Sequence, residues 1–271
     1  MEARDRAGVW IARLQGSVTK EHHETWEYLP ILLEDGRKVH GGNQGWYRAA
    51  SKVEELKKQG ITKRYQLCRR DESYRIASLG CGVVAMTNLE IYLEGKLREN
   101  LSKKGYEVAL QERWKKKYRI GKSYFNYLTG LYPWKMTKGL KHFLQLTGSD
   151  FKKVQWAPYF LRSQKKQREL VLQRMTDMLR KDCPVVFSYH TFDSKNGRLT
   201  LYGSLEAAIR GAEPCEKDET IESHYMTAIG LYQAREKEAI LQVESWGRIF
   251  YVRFDSFSRR LNYFTNILSI Q

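Results

Sequence analysis

The spacing of apolar and polar residues changes once along the chain, near residue 184. Before that point apolar residues recur at helical intervals, which predicts helices over 49–59, 81–93, 96–118, 137–146 and 162–179. We expect Gly95 to end the second of these helices and Gly105 to break the third. Beyond Pro184, short apolar runs between turns predict strands over 185–189, 224–232, 239–244 and 248–255, a hairpin partner over 197–202 and a short helix over 205–210.

A helix-rich part followed by an antiparallel sheet predicts an α+β fold rather than a doubly wound parallel sheet. A chain of 271 residues is long enough to bury one large core, so we predict a single domain over 1–271. Its predicted parts are an N-terminal arm and turn, a helical half that carries a basic insertion, and an antiparallel sheet half: 1–47, 48–181 with the insertion at 96–181, and 182–271.

The net charge of +16 arises from the basic insertion alone. Residues 96–181 contain 22 Lys and Arg against 6 Asp and Glu, whereas the rest of the chain has 25 of each. Such a surface attracts an anionic partner, which could be nucleic acid, anionic cell wall or an acidic peptide. A solvated helical face without a partner is the alternative interpretation.

The sequence also excludes several classes of protein. Apolar runs stay short of the about 18 residues that a membrane span requires, and residues 1–20 lack the apolar centre of a secretory signal. Cysteines at 68, 81, 183 and 215 show no C-x-x-C spacing, which argues against a zinc site and a disulfide framework. We therefore predict no metal or cofactor, no membrane span and a cytoplasmic protein.

Cys81 lies between two glycines at the start of the most apolar predicted helix. Unpaired N–H groups at a helix N-terminus favour the thiolate form of cysteine, which is the nucleophilic form. Gly80 and Gly82 would let a substrate backbone approach without obstruction from side chains. A small cysteine buried in a packed helix is the alternative interpretation.

A cysteine nucleophile needs a base and a group that orients the base. His224 opens an apolar strand and Glu244 closes the next one, so antiparallel pairing is expected to bring them together. The carboxylate would then fix the tautomer of the imidazole. Two alternatives stay open: Glu244 as a salt-bridging carboxylate at a strand end, and His190, near Asp193, as the base.

These residues, in this order, resemble the papain-like cysteine peptidases, in the bacterial type similar to bacteriocin-leader-processing peptidases. His224 follows Cys81 by 143 residues, within the about 130–150 typical of papain-type enzymes, and Glu244 follows it by 163. The resemblance covers roughly residues 40–255 and rests on three motifs and a glycine-rich turn: Gly80-Cys81-Gly82, Ser223-His224, Glu244-Ser245-Trp246-Gly247 and Gly41-Gly42-Asn43-Gln44-Gly45-Trp46-Tyr47.

The resemblance implies a papain-like fold in which the nucleophile helix packs on the C-terminal antiparallel sheet. Cys81 would attack the carbonyl, and His224 would take and return the proton. Glu244 would stand where the family has Asn or Asp, and Trp246 would shield that hydrogen bond from water.

The chain departs from the family pattern near the cysteine. The C-G-[SA]-C-[WY] signature is absent, and Val83 replaces the proline common after Gly-Cys-Gly. Arg75 stands where the family has the glutamine of its oxyanion hole. Gln44 is the nearest alternative amide for that role, and a structural turn amide is its other interpretation.

The predicted function is hydrolysis of a peptide or isopeptide bond in a peptide or protein substrate, through a Cys81 thioester. One alternative is a thiol acyltransferase similar to transglutaminases, in which an amine resolves the same thioester. The other is a non-catalytic basic protein that binds nucleic acid or protein on an inactive protease scaffold.

Overall fold

A computed structural model describes residues 3–4, 10–13, 29–94, 101–118, 130–148, 153–160, 165–190, 198–211, 219–233, 239–254 and 264–270. The chain forms two compact units: a helical unit of residues 29–150, and a sheet unit of residues 1–28 and 151–271. The α+β class predicted from the sequence is confirmed.

Thirteen strands occur in the described residues: β1 (Ala3–Arg4), β2 (Trp10–Arg13), β3 (Pro30–Leu32), β4 (Lys38–His40), β5 (Leu101–Ser102), β6 (Val154–Phe160), β7 (Val185–His190), β8 (Leu199–Leu201), β9 (Glu219–Ile221), β10 (Ser223–Gln233), β11 (Ala239–Ser245), β12 (Arg248–Arg253) and β13 (Phe264–Ile270). Eight α-helices occur in the same residues: α1 (Val53–Lys58), α2 (Arg64–Arg70), α3 (Glu72–Leu79), α4 (Cys81–Leu93), α5 (Lys103–Glu112), α6 (Pro133–Leu146), α7 (Lys165–Arg180) and α8 (Leu205–Arg210). A 3₁₀ turn (Gln44–Arg48) precedes α1, and a π-helical turn (Arg113–Lys117) follows α5.

Helix α4 is the centre of the helical unit. Residues 82–92 are all buried, as expected for a helix that is apolar on every side. It packs against α5 and α6, and its bounds match the helix predicted over 81–93. The local sequence therefore determines both the position and the depth of this helix.

Helices α3 and α4 meet at Gly80 with a bend of 78°. Gly80 is both the C-cap of α3 and the N-cap of α4, and its N–H donates to the Ile76 carbonyl at 2.8 Å. A Cβ at this position would lie 2.4 Å from that carbonyl oxygen, which no side chain tolerates. The bend thus requires glycine and makes Cys81 the first residue of α4.

Two helices differ from their sequence predictions in informative ways. The break predicted at Gly105 is wrong, because the Ser102 hydroxyl accepts from the Gly105 N–H at 3.1 Å and caps α5. Gly105 therefore lies in the first helical turn. Helix α6 begins at Pro133, earlier than predicted, since a proline at the first helical position needs no partner for an N–H.

The sheet unit is built on antiparallel strands in the order β12-β11-β10-β7-β13-β6, with β2 pairing to the far end of β10 and β1 pairing to β2. The strands predicted over 185–189, 224–232, 239–244 and 248–255 correspond to β7, β10, β11 and β12. Helix α7 packs on β7, β10 and β13, and its buried apolar side chains are Val171, Met175, Met178 and Leu179. The sheet thereby holds β10, which carries His224, at its centre between β7 and β11.

The predicted pairing of residues 197–202 with the strand over 185–189 is wrong. β8 pairs with β9 in a separate two-stranded sheet, while β7 lies between β10 and β13. β6 and α7 belong to the sheet unit, although the sequence pattern predicts them in the helical half over 48–181. The pattern missed β6 and β13, which pair with each other along seven residues each.

Among the described residues, no single helix combines the length and apolar character needed to cross a membrane. The bent pair of α3 and α4 reaches that threshold by length and composition only.

Candidate functional site

A tight hairpin turn joins β11 to β12 and carries a tryptophan. Ser245 pairs with Arg248, so the turn consists of Trp246 and Gly247 alone. Their φ values are 53° and 76°, and two positive values define a type I′ turn. Because a bulky residue rarely adopts positive φ, contacts of the indole must hold Trp246 in place.

The indole of Trp246 covers the imidazole of His224. The two rings stack with centroids 4.4 Å apart and an interplanar angle of 27°. Phe250 meets the same indole edge-on at 6.2 Å. Trp246 thus covers His224, the base predicted from the sequence.

His224 is held by one hydrogen bond in a buried position. Its Nε2 lies 2.7 Å from Ser245 Oγ, and only 6% of the residue is exposed. Burial lowers the pKa of His224 to about 3, so the imidazole is neutral at pH 7. With Nε2 engaged by Ser245, Nδ1 is the nitrogen left for chemistry.

Sheet register explains why serine, and not glutamate, meets the imidazole. Glu244 lies opposite Thr227, and side chains along a strand alternate between the two faces. His224 is three residues from Thr227, so its side chain lies on the face opposite that of Glu244. Ser245, the next residue, shares the face of His224. The structure therefore places Ser245, rather than the predicted Glu244, at hydrogen-bonding distance from the base.

His190, the alternative base considered from the sequence, lies beside His224 in the sheet, but its side chain is on the opposite face. It pairs with Ser223 across β7 and β10, one position from the pair of Tyr189 and His224. Burial lowers the pKa of His190. Asp193, which was expected near it, lies outside the described residues.

Cys81 is a partly exposed thiol at the first position of α4, in the helical unit. Gly80, its N-cap, offers no side chain to cap the helix. The first N–H groups of a helix have no intrahelical acceptor and favour an anion. The nucleophile predicted from the sequence thus lies at a helix N-terminus, where the macrodipole favours a negative charge.

Gln44 lies close to the bend that precedes Cys81. Its Nε2 donates to the Ala77 carbonyl at 3.1 Å, one helical turn before the cysteine. The Gly42 N–H donates to Asn88 Oδ1 at 3.1 Å, which fixes the glycine-rich turn on α4. A carboxamide has two N–H groups, so one remains for another acceptor.

Arg75, which replaces the family glutamine, is a core residue. It is 6% exposed and its guanidinium lies 4.9 Å from the ring centroid of Trp114. The thiols of Cys68 and Cys183 are also buried, and burial raises the pKa of both, that of Cys183 to about 12. Neither has the exposure of Cys81.

The described residues contain no group of three or more His, Cys, Asp or Glu side chains placed to hold a metal ion. No family model matches the chain, and no match was found among curated proteins or solved structures. The functional conclusion therefore rests on the site's own chemistry.

The buried neutral His224 should make the protein less stable in acid. Its pKa of about 3 in the folded state lies below the 6.5 of an ordinary histidine, so below pH 6.5 the unfolded chain binds a proton that the folded chain does not. The free energy of unfolding should then fall by up to about 1.4 kcal/mol per pH unit as the pH drops from 6.5 towards 3. Urea unfolding between pH 7 and 4 measures this slope.

The His224→Gln variant is the control, since carboxylates elsewhere also titrate in this range. The difference between wild type and variant isolates the contribution of His224. Equal pH slopes for the two proteins would contradict a buried, neutral imidazole.

Proposed function

We propose that this protein is a cysteine peptidase of papain-like fold that hydrolyses a peptide or isopeptide bond. Cys81 is the nucleophile and His224 the base. The observation that carries the proposal is the buried, neutral His224 held between the Ser245 hydroxyl and the Trp246 indole. An imidazole fixed in orientation and covered from water is the partner that a catalytic thiol requires.

The chemistry follows from the nitrogen that Ser245 leaves available. Nδ1 of His224 takes the thiol proton, and the Cys81 sulfur attacks the carbonyl carbon. The same proton then passes to the leaving amine as the C–N bond breaks, which leaves a thioester on Cys81. Water, deprotonated by Nδ1, hydrolyses the thioester and restores the thiol.

A thiolate beside His224 would counteract the effect of burial on its pKa. An opposite charge within about 4–6 Å stabilises the imidazolium, so thiolate and imidazolium would form together. Ser245 orients the ring but carries no charge, whereas the carboxylate of Glu244, the partner predicted from the sequence, would carry one. We therefore assign the stabilisation of the imidazolium mainly to the thiolate.

Two donors support an oxyanion hole in this proposal. One is the Cys81 backbone N–H, at the first position of α4. The second N–H of Gln44 is the other, while the first holds the side chain on the Ala77 carbonyl. Together they would supply the two hydrogen bonds that stabilise a tetrahedral intermediate.

Thiol alkylation across pH tests the proposal. Iodoacetamide should modify Cys81 with an inflection below the about 8.5 of an ordinary thiol, because helix and imidazole favour the thiolate. Peptide mapping by mass spectrometry reads each cysteine separately, in a Cys215→Ser background. The buried Cys68 and Cys183 are internal controls that should react slowly.

The His224→Gln variant completes this experiment. It should move the inflection of Cys81 back towards that of an ordinary thiol and slow its alkylation at pH 7. If Cys81 reacts like a free thiol, and His224→Gln leaves its rate unchanged, the proposed nucleophile and base are wrong.

A further inference from the structure

A cleft of about 1040 Å³ opens in the helical unit between α6 and the end of α5 with its π-helical turn. Its lining combines cations, carboxylates and exposed apolar side chains. The lining cations are Arg113, Lys116, Lys117, Lys135 and Lys138, and the lining carboxylates are Glu90, Glu94 and Glu112. The excess of cations indicates an anionic ligand.

The buried carboxylate at the floor of the cleft, Glu90, is neutralised by neighbouring cations. Glu90 is fully buried and accepts from Arg113 Nε at 2.7 Å, Lys117 Nζ at 2.6 Å and the Tyr118 hydroxyl at 2.5 Å. Burial lowers the pKa of Lys117 even though Glu90 raises it. A ligand would therefore meet the rim lysines rather than the Glu90 carboxylate.

Two large apolar side chains on α6 face the cleft and stay exposed. Trp134 is 59% exposed and Leu146 is 73% exposed, and both line the cleft. Tyr132 stacks on Trp134 at 4.3 Å and so fixes the indole. Twelve residues separate the two, or about 18 Å along the helix. Exposed apolar groups rimmed by charge are typical of an interaction surface.

We propose that this cleft binds an acidic, amphipathic peptide segment of a partner protein. Its carboxylates would meet Lys116, Lys135 and Lys138, and its apolar side chains would rest on Trp134 and Leu146. This is the helix-in-groove mode, in which one apolar face buries itself between two helices.

A peptide fits this cleft better than nucleic acid does. Tyr132 already stacks on Trp134 at 4.3 Å, so one face of that indole is closed to a base. Leu146, at the far end, has no ring on which a base could stack, whereas it suits a leucine or phenylalanine side chain. The apolar part of the lining therefore favours a peptide.

The cleft is separate from the proposed nucleophile. Glu90, at the floor of the cleft, follows Cys81 by nine residues along α4, which places the floor about 14 Å from the cysteine end of that helix. The inference therefore goes beyond the proposed peptidase activity, and the cleft can bind a peptide whether or not Cys81 is catalytic.

Selection from a displayed library of random 12-residue peptides tests the inference. The target is the full chain with Cys81→Ala, so that no bound peptide is cleaved. Enriched sequences should combine Asp or Glu with Leu, Ile or Phe. The tightest peptide is then synthesised with a fluorophore, and its Kd is measured by anisotropy.

Two cleft variants and one matched control locate the binding. Lys138→Glu should raise the Kd of the peptide by about tenfold at low salt. Leu146→Asp should raise it by at least about tenfold. Lys104→Glu is the control: Lys104 is exposed on α5 in the same basic stretch but does not line the cleft. It should change the Kd by less than about twofold.

Several outcomes would overturn the inference. Failure to enrich any peptide, or enrichment of peptides without acidic residues, would exclude an acidic peptide ligand. A loss of peptide affinity in Lys104→Glu equal to that in Lys138→Glu would show that the peptide is held by general charge attraction and not by the cleft. A labelled 20-nucleotide single strand that binds more tightly than the peptide, and loses affinity in both cleft variants, would assign the cleft to nucleic acid instead.

Discussion

Replacing His224 with glutamine should lower peptide-bond cleavage by at least about a thousandfold, as loss of a catalytic base does in related chemistry. Glutamine keeps polarity and size but cannot take the thiol proton at pH 7. Cleavage of a proteome-derived peptide library, read by mass spectrometry, first defines a substrate. The values of kcat/KM on that substrate then compare wild type with His224→Gln, and Cys81→Ala sets the background.

Two further variants separate the roles of neighbouring residues. Ser245→Ala should lower kcat/KM by about ten- to a hundredfold, because the imidazole loses its orienting hydrogen bond. The dependence of kcat/KM on pH should shift as well. Glu244→Gln should change kcat/KM by no more than about a few-fold, since the side chain of Glu244 lies on the other face of the sheet. A loss with Glu244→Gln as large as that with His224→Gln would instead make Glu244 the orienting group. Products formed with and without an added amine distinguish hydrolysis from acyl transfer.

Replacing Glu90 with alanine should destabilise the protein by about 3–5 kcal/mol. The substitution leaves the guanidinium of Arg113 and the ammonium of Lys117 without the carboxylate that both contact in the interior. It also removes the acceptor of the Tyr118 hydroxyl. Urea unfolding at pH 7, followed by circular dichroism, gives the change in the free energy of unfolding.

Glu112→Ala is the matched control for this measurement. Glu112 pairs with Lys116 at 3.4 Å, but both side chains are exposed. An exposed pair of this kind contributes at most about 1 kcal/mol. A loss for Glu90→Ala no larger than that for Glu112→Ala would mean that the buried cluster has no part in holding α4 to the chain that follows α5.

The sequence predicted the elements whose pattern is local. The helix over 81–93 follows from a continuous apolar run behind Gly80, and β10 to β12 follow from short apolar runs separated by turns. Trp246 and Gly247 fall between two of these predicted strands, where a turn is expected. These features depend on neighbours in the chain, so composition and spacing suffice to locate them.

The features that the sequence did not predict depend on pairing between strands that are far apart in the chain. β6 contains Pro158 and lies in a basic stretch, and its strand form depends on β13, more than a hundred residues later. The choice between Glu244 and Ser245 depends on the register of β11 against β10, where a shift of one residue exchanges the two faces. A carboxylate was the chemically expected partner of a histidine, and only the register identifies the serine.

The turn at Trp246 also bears on how this protein could be changed. Asparagine followed by glycine is the pair that type I′ turns favour, whereas a non-glycine residue with positive φ costs about 1–2 kcal/mol. An engineer seeking thermal stability would replace Trp246 first, and would thereby uncover His224. Trp246 makes the turn less stable but shields His224 from water. A substitution that stabilises the hairpin would therefore expose the histidine.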